Sequence, residues 1–197
     1  WDRVVDTRLC TSIGNDEGVT VGTIEHLMAA LAGCGIDNAR VELNGPEVPI
    51  MDGSSEPFVD LIGCAGVSEL AAPRRVIRVL EPVKVEVGNS CAELIPAEQP
   101  ILGVEIDFEN TVVANQALSI GLVNGSFCKE LAGARTFGFL HEVKQMQAAG
   151  FAKGGSLENA VVVSNEGILN DGGLRFDDEF VRHKMLDAVG DLYLAGG

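Results

Sequence analysis

The chain has 197 residues, 46% of them apolar and 22% charged, which is the balance of a folded globular protein and not of a disordered one. Fourteen basic residues against 29 acidic ones leave a formal charge of −15. That argues against a nucleic-acid binder, which needs a cationic face to displace phosphate counterions. The longest uncharged stretch, Asn110 to Cys128, is interrupted by Asn, Gln, Thr and Ser and cannot span a bilayer, so no transmembrane segment is expected. The opening WDRVVDTRL has neither the basic start nor the apolar core of a secretory signal.

In chain order, residues 2–10 carry the β-branched enrichment of a strand, and Asn15 to Gly18 a turn. From Thr23 the apolar residues Ile24, Leu27, Met28 and Leu31 recur at helical spacing, and Gly33 to Gly35 closes that helix. Residues 37–43 (DNARVEL) alternate as a strand, 44–54 are too punctuated by Pro and Gly for regular structure, and 56–65 read as a short helix. AAPRR, Ala71 to Arg75, is the best linker. Beyond it three strands are predicted at 76–87, 91–95 and 101–108, then helices at 126–132 and 140–149. Gly154-Gly155 marks a turn, 160–164 a strand, and Asp177 N-caps a last helix running towards Ala195. The pattern predicts an α+β protein of two domains of similar build, 1–72 and 76–197.

Five cysteines, Cys10, Cys34, Cys64, Cys91 and Cys128, are scattered, odd in number and never spaced as CxxC. They read as reduced packing groups of a cytoplasmic protein. The chain lacks an initiator Met and stops at Gly196-Gly197 just after a helical pattern, so both ends are expected to be cuts within a longer chain.

Only three histidines occur: His26, His141 and His183. His183, Asp187 and Asp191 are spaced i, i+4, i+8, so they project from one side of the last helix. Zinc suits imidazole nitrogen and carboxylate oxygen, and a catalytic site uses three protein ligands with one open position. His183 and Asp187 could supply two of these from one helical turn and His26 the third, with Glu25 beside it as a base. A His–Asp pair at this spacing is more often a plain ion pair, so spacing alone leaves both readings open. His141, in FLHEVKQ, reads as solvated.

Four segments carry more: TIEHLMAALAGCGIDNARVEL, GPEVPIMDGSSEPFV, ARTFGFL and GLRFDDEFVRHKMLDAVGDL. In this order they closely resemble the zinc-dependent UDP-3-O-acyl-N-acetylglucosamine deacetylases, which take the committed step of lipid A biosynthesis, from about Arg3 onward. The resemblance implies that each domain is a two-layer α/β sandwich and that the site lies between them. With this goes one Zn2+ per chain held by His26, His183 and Asp187, with Glu25 as general base. It implies Thr136 as an oxyanion donor, Asp191 as the acid that orients a further catalytic His, and Lys184 as a substrate-binding lysine. Phe137, Phe139, Phe108 and Cys10 are expected on the substrate side. Leu140, Leu157 and Val162 are expected along a βαβ-type insert at 140–163 that passes the acyl chain. The implied partner is the UDP-linked acylated glucosamine, acted on by a monomer. The family's further His falls about a dozen residues past Gly197, and about fifty residues precede Trp1. Ser90 or Cys91 stands where a lysine near the nucleotide is usual, and Glu142 stands for an Asp. A catalytically inert zinc- or lipid-binding remnant of the same fold is the alternative; a small RNA-binding module fits the charge least.

Overall fold

The computed structural model describes residues 1–108, 111–123 and 125–196. The first strand is shorter than predicted. Only Val4–Asp6 (β1) pairs, because Arg8 folds back on Asp6: its amide N–H donates to Oδ1 at 3.1 Å and its Nη2 to Oδ2 at 2.7 Å, an Asx-type turn that ends the strand. Strands β2 (Ser12–Gly14) and β3 (Thr20–Val21) complete a three-stranded antiparallel sheet in the order β1-β2-β3. Their turn is closed by Asn15 Oδ1, which accepts from the N–H of Glu17 and of Val19 at 3.0 and 2.9 Å.

Helix α1 (Glu25–Gly33) forms where expected, but of the predicted face only Leu31 is buried within it, together with His26, Ala29 and Ala30. Leu27 and Met28 are half-buried because α1 packs on α5 with its small residues; α2 (Glu56–Ala65) covers the expected residues. The segment 37–43 does not form the predicted strand, and Val41 and Leu43 are exposed. Extended backbone needs a neighbour for its N–H and C=O groups, and no strand is paired with it among the described residues.

The strand predicted over 76–87 pairs only from Val83 to Val87 (β4), joined to β5 (Ser90–Leu94) in a hairpin exposed on both faces. β6 (Ile101–Phe108) pairs residue for residue with β7 (Ala114–Gly121), a strand that sequence patterning missed. Asn115, Gln116 and Ser119 dilute its alternation, although Leu118 and Ile120 pack into the core. The predicted helix at 126–132 is confined to Ser126–Glu130 (α3).

β8 (Phe137–Phe139), α4 (Leu140–Ala148) and β9 (Val161–Ser164) form a parallel crossover, with β10 (Gly167–Ile168) antiparallel to β9. The last helix, α5, runs Glu179–Tyr193. Asp177 does not cap it; Asp178 occupies the cap position, and its carboxylate accepts from Arg182 Nε instead of a helical N–H. Cys64, Cys91 and Cys128 are exposed, so they are not the packing groups expected.

α1 and α5 pack face to face at the centre of the molecule. Gly190 makes this possible: a Cβ there would lie 2.1 Å from the Glu25 carbonyl oxygen. Around the crossing, Ala29, Phe127, Leu131, Met185, Leu186 and Val189 form the main core. A second cluster of Val113, Val161, Val163 and Phe180 lies under β9 and the start of α5. No helix among the described residues is long and apolar enough to cross a membrane.

Candidate metal centre

The α1–α5 crossing sets the start of one helix against the middle of the other, and three ligand-type side chains converge there. His26 Nε2 lies 3.5 Å from Asp187 Oδ1, and His183 Nε2 lies 3.4 Å from the same oxygen. One ligand atom from each residue falls within 4.8 Å of the other two. Both imidazoles are buried and meet edge to face, with centroids 4.9 Å apart.

Metal–ligand bonds of about 2.0–2.1 Å in tetrahedral array put neighbouring ligand atoms about 3.3 Å apart. The two observed separations match that edge. Asp187 Oδ1 is buried and has no hydrogen-bond partner among the described residues, an arrangement that costs free energy unless a cation or proton satisfies it. The His26 Nδ1 is likewise buried without a partner. The residues present therefore fit a divalent ion that takes nitrogen and oxygen donors.

Protonation favours the same role. Burial lowers the His183 pKa to about 4, outweighing the pull of Asp187, so the ring is neutral near pH 7 and carries a lone pair. His183 Nδ1 lies 3.0 Å from the Ala134 carbonyl oxygen, which accepts its N–H and leaves Nε2 as the free donor of lone-pair density. Burial pushes the Asp187 carboxyl up, but His183, His26 and Lys184 together override it and hold the group well below the usual carboxylate range.

Two further carboxylates adjoin the cluster. Burial raises the pKa of Glu25 and of Asp191 alike. Thr11 joins them: its N–H donates to Glu25 Oε2 at 3.0 Å and its hydroxyl to Asp191 Oδ1 at 2.7 Å. Lys184 Nζ donates to Asp187 Oδ2 at 2.9 Å and stands 5.4 Å from the Phe137 ring centroid. That ring in turn lies 6.5 Å from the His183 ring.

The remaining predicted positions spread outward. Phe108 touches both Phe137 and Phe139, with centroids 5.8 and 5.5 Å away, so all three belong to one aromatic group. Thr136 is held by its backbone, donating its N–H to the Gly53 carbonyl at 2.7 Å and accepting from Val161 N–H at 2.8 Å. Cys10 is half-buried, with Sγ 3.7 Å from Ser12 Oγ. Leu140 is half-buried at the start of α4, Val162 is buried in β9, and Leu157 is exposed. Ser90 and Cys91 lie on the exposed β4–β5 hairpin, and His141 is exposed.

Sequence reasoning missed Thr11, the Ala134 carbonyl and Ser55, whose hydroxyl donates to the His26 carbonyl at 2.7 Å. Position was the available signal: Thr11 follows Cys10 in RLCT, and Ala134 opens ARTF. A family model of UDP-3-O-acyl N-acetylglycosamine deacetylases, LpxC, matches residues 1–197. The chain belongs to the LpxC family. It is 54% identical over 196 residues to the UDP-3-O-acyl-N-acetylglucosamine deacetylase of Acidithiobacillus ferrooxidans, covering 98% of this chain and 64% of that protein. The deacetylase of the same name from Myxococcus xanthus is 54% identical over 195 residues, covering 99% of this chain and 62% of that protein. That of Idiomarina loihiensis is 51% identical over 197 residues, covering 99% and 64%. This LpxC-family chain thus spans a little under two thirds of these relatives' length.

Proposed function

We propose that the protein containing this chain is a zinc-dependent amide hydrolase that removes the N-acetyl group from UDP-3-O-acyl-N-acetylglucosamine. The observation that carries this reading is the convergence of two imidazole nitrogens on one unpartnered buried carboxylate oxygen at 3.4 and 3.5 Å. His26, His183 and Asp187 would hold one Zn2+, which when bound supplies Lewis acidity towards an amide carbonyl and towards water.

The chain's own groups do the rest. Glu25, adjacent to the ligand His26, takes the proton from attacking water; its raised pKa brings it closer to the pH at which a base is most effective. Thr11 N–H holds one oxygen of that carboxylate, which leaves the other for the proton. The Thr136 hydroxyl donates to the oxygen on which negative charge develops. Asp191 orients the acid that protonates the leaving amine. Lys184, bonded to Asp187 but partly exposed, can turn towards an anionic part of the substrate. Phe108, Phe137 and Phe139, with Leu140, Val162 and Cys10, form the substrate side, and the β8–α4–β9 crossover lines the acyl chain with Leu157 at its outer edge. With this go a division at the 73–75 linker, a cytoplasmic location and action as a monomer.

The test uses the natural full-length protein, with acetate release from the UDP-linked substrate and metal content as readouts. His183→Ala is expected to lose bound zinc. Glu25→Ala is expected to keep it and lose at least a hundredfold in kcat. Full turnover by Glu25→Ala removes the assigned base. Stoichiometric zinc without turnover in the unmutated protein supports the inert alternative.

A further inference from the structure

The segment 134–136 crosses α5 beside the metal cluster, and every residue of it is tied down. Ala134 gives its carbonyl oxygen to the His183 Nδ1–H. Arg135 turns away, into a fully buried carboxylate on α5: its Nε donates to Glu179 Oε1 at 2.8 Å, its Nη2 to Oε2 at 3.1 Å, and its amide N–H to Oε1 at 3.0 Å. Glu179 accepts a fourth bond from the Arg175 N–H at 2.6 Å. Arg135 Nη2 also donates to the Gly173 carbonyl at 2.8 Å.

Glu179 and His183 are four residues apart on α5 and so share one face of it. The ion pair and the Ala134–His183 hydrogen bond are therefore two adjacent rivets between the same segment and the same helix. A displacement of Arg135 carries the Ala134 carbonyl with it, because the two are joined by one peptide bond.

We infer that the buried Arg135–Glu179 pair is a positioning element that aims the His183 imidazole by fixing the Ala134 carbonyl. The fold could have closed this contact with apolar side chains, since a buried ion pair is often replaceable without loss of stability. What apolar groups cannot do is hold a backbone N–H and a guanidinium fork in one orientation. Partners that orient a ligating histidine typically change metal affinity by about 10- to 100-fold when removed. The inference rests on the metal-site reading above for its consequence, but not for its geometry.

The experiment compares the natural full-length protein with its Glu179→Gln and Arg135→Met/Glu179→Leu variants; in the second both charges leave together and the fold is not left with one unpaired. Two readouts are taken: Co2+ affinity with its visible d–d spectrum, and the ring-nitrogen NMR signals of His183, assigned by their loss in a His183→Gln variant. The expected result is a Co2+ affinity lower by about tenfold or more, an altered d–d band, and a His183 Nδ1–H that exchanges faster, with far-UV circular dichroism unchanged. Unchanged affinity and an unchanged Nδ1–H signal in the folded double variant overturn the inference while leaving the metal reading intact. If the unmutated full-length protein binds no Co2+, the metal reading fails. A loss of His183 Nδ1–H protection in the variants still upholds the positioning role, and its retention overturns that role.

Discussion

Replacing Gly190 with alanine tests the contact that joins the two ligand-bearing helices. Gly190 follows Asp187 by three residues on α5, and a Cβ there would stand 2.1 Å from the Glu25 carbonyl oxygen and 3.0 Å from the Ala29 nitrogen. Both are backbone atoms of α1, so no side chain can swing aside to relieve the overlap. Two effects of opposite sign compete. Alanine in place of glycine in a helix interior gains about 1 kcal/mol of helix propensity. Against this, α1 and α5 must part by about 1 Å, and overpacking of this kind costs about 1–3 kcal/mol. The separation also loosens the contacts of Ala29, Met185 and Val189 in the main core. The overlap wins, for a net loss of up to about 2 kcal/mol and a fall in Tm of up to about 8 °C. Metal binding is the sharper readout. Ligand distances in a metal site tolerate about 0.2 Å, so a shift of His26 by several times that, relative to His183 and Asp187, lowers Co2+ or Zn2+ affinity by at least about tenfold. Thermal melts with and without metal, together with a Co2+ titration, measure both. A Gly190→Ala chain that melts at or above the unmutated one and binds Co2+ equally well refutes the account of the helix crossing.

Thr11→Val keeps the side-chain shape but removes the hydroxyl that donates to the exposed Asp191 carboxylate; a stability loss of about 0.5–1.5 kcal/mol in urea is expected, and Thr11→Ser recovers most of it. Gly53→Ala puts a Cβ 2.1 Å from the Asn159 carbonyl oxygen at a backbone φ of +87°, so a loss of more than about 2 kcal/mol, read by thermal melting, is expected. Acid stability reports the Arg135–Glu179 pair. Burial pushes the Glu179 carboxyl up, but the bonds from Arg135 and Arg175 override it and leave its pKa below 4.5 in the folded state. The unfolded state then binds the proton first, so this stabilisation is complete above the unfolded pKa and is lost as pH falls through the folded one. Urea midpoints measured downward from pH 6 are expected to fall less steeply below pH about 4.5 in Glu179→Gln than in the unmutated chain; equal slopes contradict it.

The part of the site that resides in side-chain spacing could be read from the sequence. His183 and Asp187 sit one helical turn apart, and the helix brings their ligand atoms to 3.4 Å. His26 is 157 positions from His183, and no periodicity relates them; donor chemistry offered it as a third ligand while leaving a plain ion pair open, and the resemblance to a family favoured the pairing. The groups that hold the ligands were less legible because they are backbone atoms or distant partners. The Ala134 carbonyl could belong to any residue type. Glu179 reads in sequence as one of several acids at the start of a helix, where the dipole alone favours it. Its burial is decided by Arg135, 44 residues earlier, and nothing local marks the two as partners.

The same distinction between local and non-local bonding governs the fold. α1, α2 and α4 lie within a residue or two of their predicted limits, since a helix satisfies its hydrogen bonds from within. A strand satisfies none of its own. Residues 37–43 alternate well and make no strand, whereas Ala114–Gly121 alternate poorly and pair with β6 at eight successive positions. The difference lies in the partner: β6 precedes β7 in the chain and presents Leu102, Val104, Ile106 and Phe108 on one face, so Asn115 and Ser119 of β7 occupy the other, while Gln116 stays on the inner face, where its Oε1 accepts from the Val181 N–H. Alternation states that a segment can pair; the neighbour at hand decides whether it does. For the candidate site this matters little, because its ligands stand on α1 and α5. The segment 134–136 is the exception: its place depends on the bonds of Gly53, Val161, Glu179 and His183, and a reading of its own three residues could not have set it there.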